Sequence, residues 1–352
     1  MTRAKRIAMK IETWFATNER PMAWRVRYRG KRNAYYALVS EAMLQQTQAS
    51  RVAERFDGFV GRFPDVRALA NASEDEVLAA WDGLGYYRRA RNLRGAAQRI
   101  VESFGGDVPR DIDALRSLAG VGAYSAGSIA SIAFDVRTPI VDANVERVVL
   151  RVEGKALRKG SREASAFAWE QAERLVRAAN SPGRLNEGLM EFGGTICTAR
   201  APKCDACPLA RLCVARRNGT VDSIPRPKAA GVKRDLHFGV VVVRDGAGRV
   251  LLEQRGDTGL WRRMWQAPTV EREDRAVRRR EAASHAGIGS AEARRAGVFT
   301  HETSHRSVRF VVWAAEVETV RAGGGRRWVS SEEMRSLGMG SALRRAVDLA
   351  LG

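Results

Sequence analysis

The sequence predicts a two-domain protein, with a longer all-α domain followed by a smaller α+β domain. Three observations predict this. Apolar residues recur at helical spacing from the N-terminus to about residue 217, and no stretch there alternates convincingly as a strand. Asn218-Gly-Thr-Val-Asp-Ser-Ile-Pro-Arg-Pro-Lys-Ala-Ala-Gly231 then breaks the pattern with two prolines, as an inter-domain linker does. From residue 236 onward, strand-like runs appear. The expected division is 1–217, a linker over 218–235, and 236–352, and a length of 352 residues suits two domains of roughly 100–200 residues each.

In chain order, helices are expected over Ile7–Phe15, Tyr35–Gln46 and Ala49–Phe63. Ser73-Glu-Asp-Glu76 is a capping box that opens a helix running to about Trp81; Asp82-Gly-Leu-Gly85 breaks it. Another helix is expected from Tyr86 to Phe104, stopped by Gly105-Gly106. Further helices follow over Asp111–Leu118, Tyr124–Phe134, Asn144–Arg151, Arg162–Ala179 and Leu185–Phe192. Beyond the linker, Phe238–Arg244, the turn Asp245-Gly-Ala-Gly248 and Arg249–Gln254 form a β-hairpin, and Arg309–Glu316 is a later strand.

Sixty Lys and Arg against 40 Asp and Glu leave a net charge of +20, a field that draws polyanions, so nucleic acid is the first partner to consider. The longest apolar stretches, such as Phe238–Val243, fall well short of the ~20 residues that span a bilayer. Met1-Thr-Arg-Ala-Lys is not followed by a signal-peptide core, so no membrane partner and a cytoplasmic, nucleoid-associated location are expected. All four histidines lie at or after His237, so acid–base chemistry in the first domain must come from carboxylates, lysines, tyrosines or hydroxyls.

Four stretches carry chemistry. The cysteines run Cys197-x6-Cys204-x2-Cys207-x5-Cys213, a single compact loop of soft ligands. Structural zinc usually joins two short-spaced pairs across a longer segment, so this spacing favours a [4Fe–4S] cluster over zinc, with four unrelated thiols as the remaining alternative. Gly120 and Gly122 lie between one short helix and the next, where backbone N–H groups at a helix N-terminus can meet a phosphate or simply form a helix–helix turn. Ser40-Glu-Ala-Met-Leu-Gln-Gln-Thr-Gln48 sets Glu41 and the amides of Gln45 and Gln46 at the end of an apolar helix, suited either to base edges and a held proton or to a solvated helix end. Gly83-Leu-Gly-Tyr-Tyr-Arg-Arg89 joins aromatics to arginines after a tight turn, and both base stacking and core packing are open to Tyr86.

Taken together, Glu41-Ala-Met-Leu-Gln-Gln-Thr-Gln48, Gly83-Leu-Gly-Tyr-Tyr87, Gly120-Val-Gly122, Val141-Asp-Ala-Asn144 and the cysteine spacing resemble, in this order, the helix–hairpin–helix base-excision glycosylases. Within them the chain is most similar to the adenine-specific mismatch branch. The resemblance covers most of residues 5–217. It implies a six-helix barrel-like lobe and a four-helix cluster lobe, with duplex DNA in the groove between them and the target adenine turned out of the stack.

By position, the resemblance makes Glu41 the general acid, Asp142 the carboxylate that steadies the sugar cation, and Asn144 its polar partner. It also makes Gln46 and Tyr86 the residues that wedge into the duplex. Tyr124 stands where relatives that also cut the strand carry lysine, so no Schiff base forms there and base removal alone is expected. Two carboxylates suit the chemistry, one protonating the leaving purine and one facing an oxocarbenium-like sugar. Ala119 and Ala143 depart from the proline and glycine common in the family.

The second domain resembles a Nudix fold. Arg280-Glu-Ala-Ala-Ser-His-Ala-Gly-Ile288 matches the core of a Nudix box, but Ser284 and His285 replace two metal-binding glutamates, which argues against a Mg²⁺-dependent pyrophosphohydrolase. In the adenine-specific branch such a domain recognises 8-oxoguanine. His301-Glu-Thr-Ser-His305 resembles its recognition loop, with Thr303 in place of phenylalanine, and makes Ser304 and His305 the implied readers. The expected activity is thus monofunctional removal of adenine opposite 8-oxoguanine or guanine in duplex DNA, by a monomer. An endonuclease III-like glycosylase for oxidised pyrimidines is opposed by Tyr124 and by the second domain, and a non-catalytic iron–sulfur DNA-binding or redox-sensing protein is the alternative of another class.

Overall fold

The computed structural model describes residues 1–28, 31–227, 233–303, 305–318 and 325–352. Helices α1 (Arg3–Asn18), α2 (Ala34–Leu44), α3 (Ala49–Arg62), α4 (Val66–Asn71), α5 (Glu74–Ala80), α6 (Arg88–Phe104), α7 (Ile112–Arg116), α8 (Ala123–Phe134), α9 (Ala143–Glu153), α10 (Arg162–Ala178), α11 (Pro182–Thr195) and α12 (Val214–Arg217) follow one another. The two-residue strands β1 (Arg27–Tyr28) and β2 (Lys31–Arg32) pair antiparallel before α2, so the first part of the chain is not purely helical as expected. A pair this short leaves no alternating pattern to read. Helix α4, a single short turn-and-a-half, was also not anticipated by apolar spacing.

The chain divides into two compact units, one of residues 1–71 and 92–229, the other of 72–91 and 230–352. The segment 72–91 therefore groups with the C-terminal residues, although its position in the sequence places it inside the helical half.

In the first unit, one apolar core joins Ile7 and Ile11 of α1, Val145, Val148 and Val149 of α9, Val176 of α10, and Leu185, Leu189 and Phe192 of α11. The helices bury these faces because their apolar residues fall on one side, and each opens on a cap: Thr2, Asp142, Ser161 and Ser181 accept N–H bonds from the first turns of α1, α9, α10 and α11. A buried ion cluster ties the chain before α2 to α11, with Arg32 and Arg25 against Glu187 and Arg25 and Arg20 against Glu191. The start of the expected linker is held to this unit. Ile224 is buried beside Leu150, Ala164 and Ala215, and Arg226 exchanges backbone bonds with Leu157 and Lys159.

In the second unit, β3 (Arg234–Asp245), β4 (Val250–Gln254), β5 (Trp265–Gln266), β6 (Thr269–Arg272), β7 (Arg294–Glu302), β8 (Arg306–Val317) and β9 (Arg326–Val329) form one mixed sheet in the order β5-β4-β3-β8-β7, with β6 added to β3 and β9 to β4. Strands β3 and β8 run parallel along their full lengths, Arg234 opposite Arg306 to Asp245 opposite Val317. Six consecutive buried residues in β3, Phe238 to Val243, reflect a strand covered on both faces. Helix α13 (Arg279–Ala286) packs Ala282, Ala283 and Ala286 against Val241 and Val243; α14 (Ser331–Arg335) and α15 (Ser341–Leu351) follow, and α15 packs on β7 and β8. No described helix is long and apolar enough to cross a membrane.

Candidate active site and cluster loop

Glu41 lies one turn before the end of α2, buried to 8% exposure. Facing it on α8 are two serines, Ser125 and Ser128, one helical turn apart. Ser125 Oγ donates to Glu41 Oε1 at 3.0 Å and accepts from Gln45 Nε2 at 3.2 Å; Ser128 also hydrogen-bonds the Glu41 carboxyl. Burial pushes the Glu41 carboxyl above the ordinary carboxylate range; the two serines oppose the shift and the negative Asp142 adds to it. The result is an acid that keeps its proton to higher pH than an exposed glutamate.

Helix α8 reaches this position through the Gly120–Gly122 turn. Gly120 has φ +77°, and a Cβ there would fall 2.7 Å from Asn92, so only glycine fits. Gly122 is the N-cap and carries no side-chain cap bond, which leaves the first amides of α8 without a side-chain acceptor. The first turn also carries Tyr124. Its hydroxyl donates to Met190 Sδ at 3.2 Å, and burial first, then the charges of Glu41 and Asp142, push the phenol well above its usual range. Tyr124 thus lies in the field of both carboxylates and carries no amine.

Asp142 is placed by helix geometry. As N-cap of α9, its Oδ1 accepts the N–H groups of Asn144 (2.9 Å) and Val145 (2.7 Å), while Oδ2 accepts Asn144 Nδ2 at 2.8 Å. Asn144 Oδ1 accepts from Arg147 Nη2 at 2.9 Å, and Arg147 reaches Gly193 O (2.6 Å) and Cys197 O (2.8 Å). A continuous hydrogen-bonded path therefore joins Asp142 to the backbone of the first cysteine. Neither Ser125 and Ser128 nor Arg147 stood out in the sequence. Their signals were present: two serines three residues apart in a helix of small apolar residues, and arginines at 147 and 151 in a run of valines.

Gln46 and Tyr86 share an unusual backbone. Both hold the left-handed conformation, φ 58° and 48°, which costs a non-glycine residue about 1 kcal/mol or more. The expected helices included both residues; instead α2 ends at Leu44 and α6 begins at Arg88. Tyr86 is 45% exposed, and the Arg89 guanidinium lies 5.5 Å from its ring centroid.

Cys197, Cys204, Cys207 and Cys213 line one pocket with Arg151, Lys203 and Arg216. Arg151, 2% exposed, sets Nη1 3.5 Å from Cys197 Sγ and 2.6 Å from Thr198 O, and its Nε bonds to Ile224 O at 2.8 Å. Among the described residues no three His, Cys, Asp or Glu side chains converge as a single metal ion requires. Four thiols around a shared space fit a cubane whose irons each take one thiolate. These cysteines hold a [4Fe–4S] cluster.

In the second unit, Glu253 is bonded by His285 Nε2 (3.0 Å), the Thr269 amide (2.9 Å) and Arg326 (3.0 Å). Burial opposes its ionisation, but His285, the amide and Arg326 together hold the carboxyl below the ordinary range. Side chains of the protein itself, Arg326 and His285, occupy this acid, and Ser284 is exposed on α13. Thr303 closes the β7–β8 turn: its Oγ1 accepts the Arg306 amide at 2.9 Å and donates to Arg306 O at 3.0 Å. His305 is exposed in that turn; Ser304 lies outside the described residues.

Family models agree with this architecture. Residues 39–174 match the HhH-GPD superfamily of base excision DNA repair proteins, 197–213 the iron–sulfur binding domain of endonuclease III, and 239–349 a NUDIX domain. The adenine DNA glycosylase of Homo sapiens is 32% identical over an alignment covering 97% of this chain and 73% of its own length. That of Mycolicibacterium smegmatis is 40% identical across 57% of this chain and 67% of its own. Among solved structures, a thermostable thymine-DNA glycosylase is 29% identical with a TM-score of 0.54, covering 61% of this chain and 97% of that one. A helical base-excision core, a cluster loop and a NUDIX domain, matched along nearly the whole chain, place the protein in the family of adenine DNA glycosylases.

Proposed function

We propose that the protein is a monofunctional DNA glycosylase that hydrolyses the N-glycosidic bond of adenine mispaired with 8-oxoguanine or guanine in duplex DNA, acting as a monomer. The observation that carries the reading is the buried Glu41 carboxyl, held by Ser125 and Ser128 in the field of Asp142 and beside Tyr124. A carboxylic acid kept protonated in such a site can give its proton to adenine N7, so that the C1′–N9 bond breaks with a neutral purine leaving. Asp142, fixed by three N–H bonds, supplies the negative charge facing the cationic sugar. Glu41, now a carboxylate, takes a proton from the water that adds to C1′. Tyr124 offers no nitrogen for an imine, which supports base removal without strand cleavage.

The cluster supplies a fixed fold for a loop rich in basic residues, including Arg200, Lys203 and Arg211, suited to phosphate contacts. Gln45, Gln46, Tyr86 and the amides beyond Gly120 and Gly122 are the other proposed DNA contacts, and Ser304 with His305 the proposed reader of the opposite base. Incubating the protein with duplexes carrying each lesion pair, then treating with alkali, tests the assignment. Alkali-labile sites opposite 8-oxoguanine and guanine are expected; cleavage only at oxidised pyrimidines would overturn it.

A further inference from the structure

The Gly83–Tyr86 turn is built into the C-terminal unit. Asp82 Oδ1 accepts the Gly83 amide at 2.9 Å and the Tyr87 hydroxyl at 3.0 Å. Tyr87 is buried to 6% exposure, and its oxygen in turn accepts the backbone N–H of Ser341, the first residue of α15. Arg344, one turn further along α15, sets Nε 3.9 Å from Asp82 Oδ2. The positive end of α15 thus meets the Tyr87 oxygen, and an arginine of the same helix faces the Asp82 carboxylate. The fit is close on the α5 side as well: a Cβ on Gly338 would fall 2.7 Å from Leu78, and the Gly338 amide donates to Asp75 at 3.4 Å.

Within the turn, Trp81 Nε1 donates to Gly85 O at 3.1 Å, and Arg89 Nη2 donates to Leu84 O and Gly85 O at 2.9 and 3.0 Å. Three residues, Gly83, Gly85 and Tyr86, are in the left-handed region. A run of such conformations persists only when its surroundings over-determine it.

We propose that the N-terminal end of α15 holds this turn in the shape that presents Tyr86 to duplex DNA, with Ser341, Arg344, Tyr87 and Asp82 acting as positioning residues for base extrusion. The proposal rests on the reading of Tyr86 as a duplex-wedging residue. It gives the C-terminal unit a part in opening the duplex at every mispair, separate from reading the base opposite the adenine.

Ser341→Pro tests it in the full-length protein. Position 341 is the first of its helix, where proline is well tolerated, and Gly340 already has the extended backbone (φ −66°, ψ 146°) that a following proline requires. The change therefore deletes the N–H given to Tyr87 and little else. Hydrogen exchange of the 82–87 amides should quicken about fivefold, the effect of one buried hydrogen bond, while the core of β3 is unchanged. Single-turnover excision and the fluorescence rise of 2-aminopurine placed beside the adenine should fall together, to similar extents on 8-oxoguanine and guanine pairs. Tyr87→Phe, which removes the same link from the other side, should behave alike. Unchanged exchange at 82–87 in both variants overturns the proposal, as does faster exchange with unstacking and excision intact. Tyr86→Ala separates the premise: if that variant unstacks and excises normally, the wedging role itself fails, whatever Ser341→Pro does.

Discussion

Glu41 shows how one residue's surroundings decide its chemistry. Removing its dissociable proton donor by Glu41→Gln keeps the shape and the bond from Ser125, so mismatch binding should persist while single-turnover adenine excision falls by about a hundredfold or more. The pH dependence follows from the sign of the shift. A carboxyl raised by burial is protonated in the native state over a range where the unfolded chain has already lost that proton, so its stabilising contribution is complete below the ordinary carboxylate range and declines as pH rises through the native value. Across that window each pH unit costs the wild type about 1.4 kcal/mol. Glu41→Gln should therefore melt above the wild type at neutral pH, with the difference vanishing in acid, and wild-type excision should decline on the alkaline side. Equal melting temperatures across the range would contradict a buried, shifted Glu41. Sequence alone separates Glu41 from Asp142 by a hundred positions, so only the family resemblance paired them. Ser125 and Ser128 were illegible for a physical reason, because a serine on a tightly packed helix reads as a small core residue until its partner is known. The left-handed backbone of Gln46 and Tyr86 was equally hidden, since tertiary contacts impose it and composition does not.

Among the elements, α9 carries the most consequence. Its N-cap is Asp142, its interior presents Arg147 to Asn144, Gly193 and Cys197, and Arg151 to the loop after Cys197. Arg147→Met would leave buried acceptors unpaired at about 1–3 kcal/mol each and release Asn144 from one side of Asp142. We expect a lower melting temperature, fewer irons per chain and slower excision together; loss of excision with iron and stability unchanged would mean that the path does not link the two sites. The native protein should be brown with about four irons per chain, and Cys204→Ser should lose iron and solubility at once. Stoichiometric zinc in protein purified without added metal would overturn the cluster. Elements with strong local signals were legible: the Ser73 capping box forms with both of its bonds, and β3, β4 and β8 lie where alternation and turn residues put them. Strand β7 was not, because its exposed, arginine-rich face at the sheet edge leaves too few buried residues to set a period. The packing of Ile224 on the first unit was not legible, since its proline-rich surroundings conceal an apolar anchor.

At the scale of the whole molecule, a net charge of +20 binds duplex DNA without regard to sequence, so preference for one mispair must come from a few placed contacts rather than from affinity at large. 8-Oxoguanine differs from guanine by a carbonyl at C8 and a proton on N7. One hydrogen bond to either group is good for ~0.5–1.5 kcal/mol, a preference of about two- to tenfold. Thr303 pins the base of the β7–β8 turn through both bonds to Arg306, which fixes the ends of the segment proposed to supply such a bond. Ser304→Ala should lower the ratio of excision rates on 8-oxoguanine and guanine pairs by that factor and leave the rate on the guanine pair nearly unchanged. The opposite pattern is expected of Ser341→Pro, which loosens the turn bearing Tyr86 and so slows both pairs by the same factor. Measuring both variants against wild type at a single salt concentration removes the shared phosphate contribution from the comparison. If Ser304→Ala slows both pairs equally, the turn serves as one more backbone clamp and the reader of the opposite base lies elsewhere; a ratio changed by Ser304→Ala alone assigns reading to the β7–β8 turn and duplex opening to the turn that bears Tyr86.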